Sequence, residues 1–212
     1  MQTQRYLYAL VEGLPSRWRP PSAGVSSTPV EAHAVRDLVL ISGPLSLPPA
    51  RSPRAEAAHH DVLTGLLDAQ AVLPFRFGTV VPEPELPRWL DARWSRMRAA
   101  MSELQGHIEM SVRLLRLDQK EPSGALLRGV AERLVERANL PVWRYYPTGH
   151  GVNVAASLAF LVPRDEVAAF LARIAPVSAR ARDVAVVPTG PWAAYSFAPP
   201  LEDPSQAVAV SA

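Results

Sequence analysis

Residues 71–81, AVLPFRFGTVV, constrain this chain more than any other stretch, because PEPELPRWL follows them at once. The run is apolar and β-favouring, Pro74 breaks it early and Gly78 lies near its end, so the pattern reads strand, tight turn, helix. A single charge interrupts it. Alternation turns Phe75 and Phe77 inward and Arg76 out to solvent, as an edge or half-exposed strand would have it. The sharper alternative pairs Arg76 with a carboxylate or carbonyl inside the molecule, since a buried charge needs a partner.

Upstream, residues 5–11 (RYLYALV) alternate aromatic and aliphatic side chains and predict a first strand. Residues 16–29 form a Pro- and Ser-rich loop. Residues 30–33 and 37–42 read as a short hairpin, and 43–53 as a second Pro-rich loop. Residues 54–70 carry Ala55, Ala58, Val62, Leu66 and Leu67 at helical spacing. That helix holds His59, His60 and Asp61. Adjacent helical residues point about 100° apart, so two neighbouring imidazoles do not chelate one ion, and a histidine packing locally is the simpler reading.

Residues 82–106 are the strongest helical segment. Leu86, Trp89, Leu90, Arg93, Trp94, Met97, Met101 and Leu104 trace a stripe at three- and four-residue steps. The stripe is core packing in the simplest reading and a partner-binding face in the other, aromatics and Met being enriched at interfaces. Residues 107–117 then alternate, with Ile108, Met110, Val112 and Leu114 on one face and His107, Glu109, Ser111 and Arg113 on the other. Glu109 is the natural partner for Arg76 if the two strands are neighbours, and an Arg76–Glu109 contact is expected.

Downstream come a helix over 123–139, strands over 142–146 and 152–162, a helix from Pro163 to about Ile174, and a strand over 184–187. A turn over 188–191 and a strand over 192–197 follow. With the strand at His107 the order is β-α-β-β-α-β, which is the ferredoxin-like order. The predicted class is α+β: an N-terminal α+β domain (1–82), a long connecting helix (83–106), a modified ferredoxin-like domain (107–198) and a flexible tail (199–212).

With 48% apolar and 20% charged residues, the composition is that of a globular protein, and no stretch reaches the ~20 apolar residues of a membrane span. The N-terminus enters a strand pattern with no signal-peptide h-region, and there is no cysteine, so the cytoplasm is the expected compartment. Positive charge is almost all arginine interleaved with acids along helices, which is not the clustered basic face of a nucleic-acid binder. The sequence holds no GxSxG, P-loop, dinucleotide fingerprint or HExxH. No catalytic, cofactor or metal residue is assigned and no cofactor is expected. Thr148–Gly149–His150–Gly151 offers backbone N–H groups to an anion and Thr189–Gly190–Pro191–Trp192 offers a ligand loop, but a plain β-turn and a shaped turn with an anchoring indole are the simpler readings.

Four motifs occur in order: RYLYALVEG, VLPFRFGTVV, GHIEMSVRLL and VVPTGPWAAYSF. Together they resemble the GvpL/GvpF gas vesicle protein family. The match runs through Leu73, Pro74, Arg76, Phe77, Gly78 and Thr79, then Gly106, Glu109 and Val112. It ends on Thr189, Gly190, Pro191, Trp192, Tyr195, Ser196 and Phe197. Ala193 and Ala194 stand where the family usually has two prolines. The resemblance implies two α+β domains and a non-catalytic accessory protein that binds the small hydrophobic shell protein and other accessory proteins to help nucleate or assemble the vesicle. Structural roles are expected for Pro74, Arg76, Phe77, Gly78, Glu109, Gly190, Pro191, Trp192 and Tyr195. Candidate partner contacts are Trp89, Trp94, Met97 and Phe197. The alternative is a small-ligand sensor or enzyme in which Arg76, Glu109 and His150 converge.

Overall fold

A computed structural model describes residues 3–117, 121–148, 151 and 153–201. The chain divides into two units, one reaching Gln105 and rejoined by the segment from Phe197, the other Gly106–Ser196. Each has its own antiparallel sheet.

In the first unit β1 (Gln4–Glu12) is central. On one side it pairs with β3 (Leu38–Leu45), which forms a hairpin with β2 (Glu31–Val35) across a turn where Arg36 takes φ +55°. On the other it pairs first with β4 (Ala71–Pro74) through Ala9 to Glu12, and then with β5 (Val80–Pro82) through Gln4 to Tyr6. The expected single strand over 71–81 is therefore two, with residues 75–79 leaving the ladder between them. Residues 6–11 of β1 are buried on both faces, which requires cover on both sides. Helix α1 (Pro53–Thr64), capped by Ser52 Oγ accepting from Ala55 N–H, meets β1 at Tyr6 and Tyr8.

Helix α2 (Leu86–Leu104) begins after a 3-10 turn at Glu83–Glu85, with Pro87 in its first turn, where a missing N–H costs little. It packs on β4 and β5, and Leu90, Met97, Met101 and Leu104 are buried. The helix expected to connect two domains is thus part of the first unit, because its apolar stripe closes that unit's sheet. The chain also returns here. Arg93 Nε donates to the Leu201 carbonyl at 2.6 Å, Arg96 to the Pro200 carbonyl at 3.1 Å, and Leu201 is buried. The expected flexible tail therefore does not begin at 199, and residues 202–212 lie outside the described residues.

The second unit runs β6 (His107–Arg116), α3 (Gly124–Ala138), β7 (Trp143–Tyr146), β8 (Val154–Pro163), α4 (Val167–Arg180), β9 (Val184–Trp192). Its sheet order is β7-β8-β6-β9, all antiparallel. Register aligns Ile108, Met110 and Val112 with Val162, Phe160 and Leu158, and this apolar face meets the helices, Phe160 lying 5.2 Å from Phe170 between ring centres. On the other face Glu109, Ser111 and Arg113 stand beside Leu161, Ala159 and Ser157. β9 continues through Pro188 and Pro191, so the strand expected over 192–197 does not form. An edge strand needs its N–H groups on one side only, which lets it hold prolines.

Candidate functional site

Residues 75–79 are held out from the first sheet by their own hydrogen bonds. Phe75 N–H donates to the Tyr8 carbonyl and Leu7 N–H to the Thr79 carbonyl, both at 2.9 Å, so the ladder with β1 closes on either side of the excursion. Thr79 N–H and its hydroxyl both donate to the Arg76 carbonyl, and Gly78 takes φ +88°, a conformation that costs glycine least. Beneath the loop lies a cluster of Tyr6, Tyr8, His59 and Phe77, with ring centres 4.8 to 6.1 Å apart.

Tyr6 and Tyr8 are two residues apart on β1 and point the same way, and each buried phenol needs a partner. Tyr6 Oη accepts from Gly78 N–H at 3.2 Å and donates to His59 Nδ1 at 2.9 Å, while the imidazole also bonds the Phe75 backbone. Tyr8 Oη accepts from Val25 N–H at 2.8 Å. Burial pulls the His59 pKa down from 6.5 to about 4, so the ring is neutral at pH 7 and accepts on Nδ1. This locally packed histidine is the one the sequence allowed for. No local pattern specifies its role in fixing the 75–79 loop through Tyr6; two tyrosines on one face of a buried strand are the signal in the sequence that points there.

Pro74 is buried at the end of β4, Phe77 is half-buried in the cluster, and Arg76 is exposed at the loop. Arg76 faces solvent as the alternation reading expects, but it stands on the 75–79 loop and not on an edge strand. Glu109, the expected partner, is buried in the second unit and engaged there by serines. Ser196 N–H donates to its Oε2 at 2.8 Å, and the Ser196 and Ser111 hydroxyls donate to its Oε1 at 2.9 and 3.3 Å. Within its own unit Glu109 receives donors without charge, because the turn after β9 folds over it. Burial raises the Glu109 pKa, and the Ser196 and Ser111 bonds oppose the rise.

The residues behind that turn set its geometry. Gly190 takes φ +128°, and a Cβ there would stand 2.8 Å from Met110 Sδ and 3.0 Å from the Glu109 carbonyl. Pro191 is exposed, and half-buried Trp192 sits opposite Glu109 in register, its Nε1–H donating to Thr189 Oγ1 at 3.4 Å. Half-buried Tyr195 donates its N–H to the Ala193 carbonyl. Ala193 and Ala194 are buried. His150 and Gly149 lie outside the described residues.

The candidate partner residues are largely engaged within the first unit. Met97 is fully buried. Trp89 is half-buried, 5.9 Å from Phe75 between ring centres and capped by the Arg93 guanidinium at 4.6 Å. Half-buried Trp94 is capped by Arg36 at 4.4 Å, and Arg36 is itself paired with Asp91 at 2.6 Å. Phe197 is half-buried. Among the described residues, no group of three or more His, Asp or Glu is placed to hold a metal ion, and no helix is long and apolar enough to cross a membrane.

The family model described as "Gas vesicle synthesis protein GvpL/GvpF" matches residues 4–138 and 119–199. The chain belongs to the GvpL/GvpF family. It is 28% identical over 155 residues to Gas vesicle protein F2 of Halobacterium salinarum, covering 70% of each chain. Two solved GvpF structures share the fold. That from Anabaena sp. PCC7120 aligns with a TM-score of 0.78 over 93% of this chain and 96% of its own, at 16% identity. That from Microcystis aeruginosa aligns with a TM-score of 0.76 over 92% and 99%, at 15% identity. The mixed helix-and-sheet architecture with two antiparallel sheets is thus that of the GvpF structures. A gas vesicle-related role follows from membership in the family.

Proposed function

We propose that this chain is a non-catalytic accessory factor of gas vesicle formation, acting in the cytoplasm and at the vesicle. It binds the small hydrophobic shell protein and other accessory proteins and helps nucleate or assemble the shell. The family match over nearly the whole chain carries this reading. The second unit is read as a modified ferredoxin-like fold, on the support of its β-α-β-β-α-β order and its interleaved sheet order.

The surface offered to the shell protein is read as the β7 edge of the second sheet rather than the Trp89, Trp94 and Met97 face of α2. Trp143 is 39% exposed and Tyr146 36% exposed on that strand, and an edge strand leaves one row of backbone donors and acceptors for an incoming chain. A sensor or enzyme built on Arg76, Glu109 and His150 has less support, because both Glu109 oxygens are engaged by serines. The test combines deletion of the gene with capture of shell protein by the purified chain. Normal vesicles without the gene, together with no capture of shell protein, would overturn the reading.

A further inference from the structure

The sheet face of the second unit that its helices leave uncovered carries a depression of about 250 Å3, lined by Ser111, Arg113, Tyr146, Ser157, Ala159 and Ser196 among others. Strand register builds it. Arg113, Ser157 and Tyr146 stand in one row across β6, β8 and β7, with Ser111, Ala159 and Arg144 in the next. Ala159 is buried and contributes only a methyl group, which leaves the floor low between its neighbours. Arg113 is exposed and makes no ion pair among the described residues. The acid on this face of β6, Glu109, is four residues from Arg113 along the strand, beyond Ser111, and its oxygens are engaged by Ser196 and Ser111. The depression therefore presents an unneutralised guanidinium beside two hydroxyls, those of Ser157 and Tyr146.

We propose that this depression binds a single carboxylate carried on an extended polypeptide, with Arg113 as its charged partner and the Ser157 and Tyr146 hydroxyls as accompanying donors. A guanidinium presents paired N–H groups that match the two oxygens of a carboxylate. Arg113 is the guanidinium that lines the depression, while Arg144, in the neighbouring row on β7, donates to the Trp143 carbonyl and is not part of the lining; one lining charge suits a monoanion better than a doubly charged phosphate. The depression reaches Tyr146 on the β7 edge, so a chain lying along that edge brings an Asp or Glu side chain over it. This inference goes beyond the assembly reading and does not require the shell protein to be the partner.

The test is a titration of the full chain followed by 1H–15N NMR, with N-acetyl-glutamate N-methylamide as probe. The glutamine analogue and inorganic phosphate serve as controls, and Arg113→Gln and Ser157→Ala as variants. The expected result is saturable shifts centred on residues 111–113, 146 and 157 with the glutamate probe and little response to the glutamine analogue. Affinity falls about fivefold or more in Arg113→Gln, an exposed position where the spectrum itself reports that the fold is kept. A smaller loss is expected in Ser157→Ala. Equal response to the glutamine analogue, unchanged affinity in Arg113→Gln, tighter binding of phosphate, or no saturable shift would each overturn the proposal.

Discussion

Lowering the pH should remove stability that the wild-type chain owes to His59. The ring is 3% exposed, and its pKa falls from 6.5 to about 4 because burial disfavours the imidazolium. The unfolded chain takes up this proton as the pH falls through 6.5, whereas the folded chain resists until about 4. Stability from this group is therefore present above pH 6.5 and lost as the pH falls across that window. The difference between 6.5 and about 4 corresponds to about 3 kcal/mol in full, of which about 2 kcal/mol is lost between pH 7 and pH 4.5.

His59→Asn isolates the effect, since its amide oxygen can accept from Tyr6 Oη near the position of Nδ1 and does not titrate. Urea unfolding of both proteins at pH 7 and pH 4.5, with m held constant, gives four free energies. The variant is less stable at pH 7, but its loss on acidification should be smaller than that of wild type by about 2 kcal/mol. Equal losses in the two proteins would refute the argument, because His59 would then bind its proton alike in the folded and unfolded chains.

Gly190→Ala should destabilise the chain by about 2 kcal/mol or more, since it sets a Cβ against Met110 Sδ and the Glu109 carbonyl at φ +128°; thermal unfolding reads the loss, and a neutral change would remove the packing argument for this glycine. Glu109 has the opposite pH sign to His59. Its folded pKa is raised, so its stabilisation is present below its unfolded pKa and lost as the pH rises through the folded one; on going from pH 4.5 to pH 7 the stability of Glu109→Gln should change more favourably than that of wild type, which carries the same His59 contribution, by urea unfolding at both. Leu201→Ala should cost about 2 kcal/mol, because it truncates a buried side chain while leaving the carbonyls that Arg93 and Arg96 bond; unchanged thermal stability would mean that burial of this side chain contributes nothing measurable.

The period of the apolar residues determined most elements before any tertiary contact was known. The stripe through Leu90, Met97, Met101 and Leu104 specifies α2, and the alternation of Ile108, Met110, Val112 and Leu114 specifies β6, because each repeat leaves only one face that can be buried. The order of strands and helices in the second unit was legible for the same reason. What surrounds the polar side chains was not. Glu109 alternates as a solvent-facing residue should, yet it is buried because Ser196, 87 residues away, returns to cover it. The break between β4 and β5 is likewise decided elsewhere, by Tyr6 Oη accepting a hydrogen bond from Gly78 N–H and by His59 on α1 accepting one from the Tyr6 hydroxyl. Arg76 is left outside by that loop. A local pattern states which side of an element is apolar; whether its polar side meets water or another part of the chain depends on long-range contacts that no local period encodes.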